Sequence, residues 1–170
     1  MRVWSTTEFP FLPIGEVTNV GKWLWGVYIN SEVVMSCARD HRFRVWTRSQ
    51  FFSATQKTSY IDKSAAAMTA LKCDDKLAVV SSLTGQVFVY RPTSTHGWTE
   101  PERAACVQAH NVGVFSLSLD DRWLLTGAKD NCGASVVSHR IAMNVFADSS
   151  FAFRPHVYAC GCLLSVCVHL

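Results

Sequence analysis

The chain has 170 residues, 49% of them hydrophobic, 12% aromatic and 17% charged. That balance excludes a solvated, disordered polymer, and the length fits one domain of ~100–200 residues. A formal charge of +3 is too small to point to nucleic acid or an anionic membrane unless the basic residues cluster.

The N-terminal stretch MRVWSTTE lacks the basic and apolar regions of a secretory leader, and the sequence has no Asn-x-Ser/Thr acceptor. The seven cysteines, Cys37, Cys73, Cys106, Cys132, Cys160, Cys162 and Cys167, are odd in number, and the first three are far apart. A disulfide framework is therefore not expected, and a reducing cytoplasmic or nuclear compartment fits best. The apolar run at 157–170 would reach about 21 Å as a helix, short of the ~30 Å hydrocarbon core, so no membrane span is expected.

In chain order, the first element is a short strand at residues 1–5. Next, the alternation Trp25/Val27/Ile29 predicts a strand with one buried face. The run VVMSCARD at 33–40 follows as a strand and turn, then RFRVW at 42–46. The same order returns with Thr69/Leu71/Cys73, LAVVSSLT at 77–84 and QVFVY at 86–90, and again with Phe115/Leu117/Leu119 and WLLTGAKD at 123–130. The three runs starting at 33, 77 and 123 superpose without gaps at offsets of 44 and 46. Asp74-Asp75 and Asp120-Asp121 fall between the first two strands of the later units and suit tight turns, because a short carboxylate can bond the backbone two residues on. The unit is thus strand, turn, strand, turn, strand and a longer connection. A period near 45 built from short strands indicates propeller blades rather than a helical solenoid.

These residues resemble the WD-repeat family over residues 1 to about 131. The stretch SCARDHRFRVW at 36–46 is similar to a WD-repeat ending, and Ala109-His110 stands where the family has Gly-His. The resemblance implies a hydrogen-bonded set of His, Ser/Thr, Asp and Trp bracing each blade. Residue by residue it assigns His110, Thr126 and Asp130 in the third unit and Asp40 and Trp46 in the first. The first unit lacks the His, the second has Thr84 for Asp and Tyr90 for Trp, and the third lacks the Trp.

Three units fall short of the ~4–8 blades of a closed ring. The fold expected is all-β: a partial propeller over 1–137, with a closing strand at 1–5, blades at about 23–46, 67–90 and 113–137, and a divergent, poorly ordered tail at 138–170. The chain is then an excerpt or variant of a longer propeller with two open apolar blade faces, the kind of patch found at interfaces. The stretch after Asn131 supports that expectation: residues 131–170 hold three of the chain's charged residues (Arg140, Asp148 and Arg154) and four of its seven cysteines.

Arg39, Arg42, Arg44 and Arg48, with His41, Phe43 and Trp46 among them, form the densest basic stretch. It reads either as a phosphate-gripping surface or, preferably, as an exposed strand with solvated alternate residues, since one strand of Arg makes no continuous groove. In the tail, His156, Cys160, Cys162, Cys167 and His169 lack the spacings of a zinc site, so no metal is expected. Palmitoylation of Cys160 or Cys162 is a further reading, and plain thiols the simplest. No catalytic motif of the elbow, phosphate-loop or zinc-protease kind is present, and no cofactor is implied. Trp23, Trp25 and Trp123 are expected to pack between blades, and Trp98, in the loop at 92–101, to be exposed.

The function that follows is a non-enzymatic scaffold binding other proteins, with Lys22, Arg39, Thr84, Asn111 and Lys129 as candidate contacts on one edge and self-association through the blade faces as a further contact. The rivals are the substrate-reading part of an F-box/WD-type ubiquitin ligase and RNA binding through residues 39–48. Nucleic acid is the less favoured partner.

Overall fold

A computed structural model describes residues 1–140 apart from 8, 19, 54, 121, 122, 131 and 132, with the backbone alone for Trp123, Asp130 and 133–140. The expectations for 141–170, including the thiols and histidines of the tail, lie outside the described residues.

The alternating and doubly apolar runs form antiparallel sheets that follow one another along the chain. Strands β1 (Arg2–Trp4) and β2 (Pro13–Glu16) pair as a two-stranded ribbon, so the strand read as a closing one has β2 as its described partner. The first large sheet comprises β3 (Leu24–Ile29), β4 (Val33–Ala38), β5 (Arg42–Thr47) and β6 (Tyr60–Lys63), neighbours in that order. Between β5 and β6 lies the single turn α1 (Arg48–Phe51), closed by a reciprocal capping box of Thr47 and Gln50. The second sheet is β7 (Met68–Cys73), β8 (Ala78–Ser82), β9 (Gln86–Thr93) and β10 (Gly97–Gln108). The third is β11 (Val114–Leu119), β12 (Trp123–Asp130) and β13 (Gly133–Arg140). No helix among the described residues is long and apolar enough to cross a membrane.

Each large sheet begins with the same irregularity. A register shift falls between Leu24 and Gly26, between Met68 and Ala70, and between Val114 and Ser116. One hydrogen bond also recurs: the amides of Arg39, Leu83 and Lys129 donate to the carbonyls of Trp23, Ala67 and Gly113, at 3.0, 2.9 and 3.3 Å. Both features step by the 44 and 46 residues that align the sequence runs. An extra residue at the start of a strand increases its twist, which lets successive sheets stack with their first strands, β3, β7 and β11, side by side.

The expected unit of three strands and a connection is corrected to four strands in the first two sheets. The missing members, β6 and β10, lie in segments read as connections. Each is an outer edge with a single neighbour, so its sequence need not alternate. β6 has only four residues, and β10 carries Pro101, tolerated beside a register shift at an edge.

The cores lie between sheets. Val33, Met35, Phe43 and Val45 pack against Met68, Val80, Phe88 and Tyr90, and Val79 and Val87 against Val114, Leu117, Leu124 and Ala128. β4 is buried at all six positions because its second face is covered too. Val34, Trp46 and Phe51 lie under Val17 and Val20, with Met1 and Val3 beside them. One of the two faces expected to be open is therefore capped by the chain's own N-terminal segment.

The tryptophans are also redistributed. Trp98, expected in an exposed loop, belongs to β10 and is 5% exposed within the first core, whereas Trp23 and Trp25, expected to pack between sheets, are 66% and 45% exposed. The whole side Trp25/Val27/Ile29, expected to be the buried face of β3, is exposed, Val27 at 58% and Ile29 at 51%. The opposite side faces the next sheet, with Gly26 close against Leu71 and Tyr28 packed on the first core. The Trp25 ring meets Phe115 at 6.4 Å between ring centres.

Candidate functional site

Strand direction places the β4–β5 turn (39–41), the β8–β9 turn (83–85) and the segments leading into β3, β7 and β11 at one end of the sheets. The proposed contact residues Lys22, Arg39, Thr84, Asn111 and Lys129 all lie at this end and are all exposed. Gln108 bridges Thr84 and His110, the residue before Asn111: its Nε2 donates to their carbonyls at 2.6 and 2.7 Å. Lys129 is tied to the strand start at Gly113. At the first sheet, the Arg39 guanidinium lies 4.4 Å from the centre of the Trp23 ring. Trp23 and His41 both have left-handed backbone angles, φ 55° and 67°.

The residues assigned to blade bracing fall into different arrangements. His110 Nε2 and Thr126 Oγ1 are 2.8 Å apart and buried, and the side chain of Asp130 lies outside the described residues. In the first sheet Asp40 pairs with Arg44, its Oδ1 accepting from Nη1 at 3.1 Å. Trp46 donates from Nε1 to the Gln56 carbonyl at 3.3 Å. Asp40 and Trp46 thus have separate partners rather than a common set. The sequence lacked a signal for Gln56, because a backbone carbonyl can serve from any residue type.

Arg44 is almost fully buried in this ion pair, which corrects its placement on an exposed basic strand. Arg48, at the far end of β5, donates to the Asn30 carbonyl. The four arginines of residues 39–48 therefore present no common face.

Ser36, the first-sheet counterpart of Thr126, is fully buried, and its Oγ has no hydrogen-bond partner among the described residues. An unpaired buried hydroxyl carries its desolvation cost uncompensated. Ser36→Ala is expected to raise stability by about 1 kcal/mol, whereas Thr126→Val, which loses the bond to His110, lowers it by a similar amount. Denaturant titrations of the two variants should move in opposite directions, and a destabilised Ser36→Ala would contradict the geometry.

Further polar groups tie sheet to sheet. The hydroxyls of Thr69 and Ser81, 3.0 Å apart, both meet the Val114 carbonyl, joining β7 and β8 to β11. Asp62 on β6 accepts from the Tyr90 hydroxyl at 2.8 Å and from Arg103 Nε at 2.7 Å, joining β6 to β9 and β10. Burial, then the bond to Asp62, pushes the Tyr90 phenol well above its usual range, and the same carboxylate raises the Arg103 guanidinium. Burial lifts the thiols of Cys37 and Cys73 to about 12, leaving them protonated at neutral pH. Among the described residues no cluster of His, Cys, Asp and Glu has the makings of a metal site.

No sequence-family profile matches the chain, and no curated protein matches it. Solved structures do. The computationally designed Ika4 protein aligns with TM-score 0.57 at 17% identity, covering 74% of this chain and 71% of that one. The designed Ika8 protein aligns with TM-score 0.55 at 18% identity, covering 69% of this chain and 33% of that one. A chain of a mitotic checkpoint complex aligns with TM-score 0.60 at 14% identity, covering 82% of this chain and 41% of that one. The protein thus spans well under half the length of two of these three. The likeness is one of fold: an all-β arrangement of several antiparallel sheets.

Proposed function

We propose that the chain is a non-enzymatic interaction scaffold: three successive blades of a WD-type propeller that offer the turns at one end to partner proteins. The observation that carries this reading is the recurring amide-to-carbonyl bond from Arg39, Leu83 and Lys129 to Trp23, Ala67 and Gly113. It ties the strand ends at Arg39, Leu83 and Lys129 in the same way to the residues that lead into β3, β7 and β11, on the edge that bears Lys22, Arg39, Thr84, Asn111 and Lys129. Rigid turns with exposed aromatic and Arg groups supply the few anchors that dominate protein recognition. The hydroxyls of Thr69, Ser81 and Tyr90 and the carboxylate of Asp62 are engaged in joining sheets, which supports a framework role.

The test places a photo-crosslinking residue at Thr84, Asn111 or Lys129, and in parallel at Asp75 or Lys76 on the opposite end, in cells expressing the full chain. Partners should crosslink from the first set and not from the second. Equal capture at both ends, or none at the first, would refute the assignment.

A further inference from the structure

The same edge carries a charge bias and a strained aromatic residue that together specify the chemistry of its partner. Lys22, Arg39, Lys63 and Lys129 are exposed there and Arg42 is half-buried. The neighbouring described carboxylates are already engaged, Asp40 by Arg44 and Asp62 by Arg103. The field at this edge is therefore positive. The opposite end carries Glu32, Asp74, Asp75 and Asp120 alongside Lys72, Lys76 and Arg48, a mixed set.

Trp23 stands beside Arg39 in the first-sheet part of the basic edge. A bulky residue at φ 55° is a backbone outlier, and this one holds a ring 66% exposed to water, with Arg39 against its face. Neither the strain nor the exposure contributes to the packing of the sheets. Conformational cost kept at an exposed site is a mark of binding surfaces, and Trp and Arg are the residue types enriched at binding hot spots.

We infer that this edge docks an acidic peptide segment with an apolar anchor: its carboxylates meet Lys22, Arg39 and Lys129, and its apolar side chain packs on Trp23. The inference rests on the scaffold reading and adds the chemistry of the partner. A peptide suits the edge better than a nucleic acid does, because the cations are spaced over separate turns and Arg44, which could have made them a continuous strip, is buried against Asp40.

The experiment measures fluorescence anisotropy of a short labelled peptide of Glu and Asp with two Leu residues, titrated with the full chain. Parallel titrations use the same peptide with Lys for its acids and a single-stranded RNA oligomer. Saturable binding to the acidic peptide is expected, weakened by added salt and by at least about tenfold in Arg39→Glu and in Trp23→Gly. Trp23→Gly suits the left-handed backbone and should melt at or above the parent temperature, so lost binding cannot be ascribed to unfolding.

Absent binding, tighter binding of the RNA or the basic peptide, or binding untouched by either substitution would overturn the inference. So would binding lost in Arg39→Glu but kept in Trp23→Gly, which would leave a charge effect without an anchor. Crosslinking confined to this edge combined with a silent acidic peptide would refute the partner chemistry while leaving the scaffold standing. Crosslinking at neither end would refute the scaffold itself.

Discussion

Gly85→Ala is expected to destabilise the chain by more than about 3 kcal/mol, a large share of the ~5–15 kcal/mol that holds a domain folded. Gly85 has φ 84° and lies in the β8–β9 turn, where its carbonyl accepts from the amides of Ala109 and His110 at 3.0 and 3.2 Å. A Cβ there would overlap the His110 carbonyl oxygen and stand 2.6 Å from its carbon and 2.8 Å from the Val112 carbonyl oxygen. All three are backbone atoms, which cannot rotate aside as a flexible side chain would. Relief requires the turn to part from the segment that leads into β11, and that segment carries His110 to its bond with Thr126. Gly97→Ala is the control: its φ is 55°, yet a Cβ there meets nothing within 4 Å. It should lose only the left-handed penalty of about 1–2 kcal/mol. Urea titrations of the two variants should differ by at least about 1 kcal/mol, and equal midpoints would mean that the contact between turn and segment is not made.

Periodicity made β3–β5, β7–β9, β11 and β12 legible, because β4 and β8 are buried at every position and read as apolar runs at a fixed spacing, with shorter patterned strands beside them. The outer strands were hidden for the opposite reason. β10 pairs on one side only, so residues such as Glu102 and Arg103 can occupy it without cost, and its charges resemble those of a loop. Alternation at 25, 27 and 29 marks two sides of β3 but not which one is buried: Gly26, which has no side chain, lets the other side approach Leu71 of the next sheet, so the larger residues face out. The covering of the first sheet by Val17 and Val20 was not legible either, since two valines in the polar segment EVTNVG carry no period. At the site, the turn residues could be placed by offset alone. The Arg39–Trp23 stack and the burial of Arg44 against Asp40 depend on backbone angles and long-range packing that no spacing records. Tyr90 belongs to both classes: its position was legible as the counterpart of Trp46, its partner Asp62 was not.

That partnership predicts the second large effect. Tyr90→Ala should cost about 3–5 kcal/mol, the range for deleting a buried aromatic ring. The ring is fully buried, stacks at 4.5 Å on Phe43 of the first sheet, and carries the hydroxyl bonded to Asp62. Tyr90→Phe keeps the ring and leaves Asp62 its bonds to Arg103, so it should cost only about 1 kcal/mol. The two variants separate packing from polarity at the junction of the first two sheets, where the equivalent Trp46 instead bonds within its own sheet system. pH adds an independent reading. Because folding raises the phenol above its usual value of 10.0, its contribution is complete below that value and is lost as pH rises, when the unfolded chain ionises first. The parent should therefore lose stability faster than Tyr90→Phe above about pH 10. Parallel alkaline profiles would show that the hydroxyl is not held against Asp62. A small cost for Tyr90→Ala would show that the first two sheets do not share a core, and with that the stacking that puts their turns on one edge would fail.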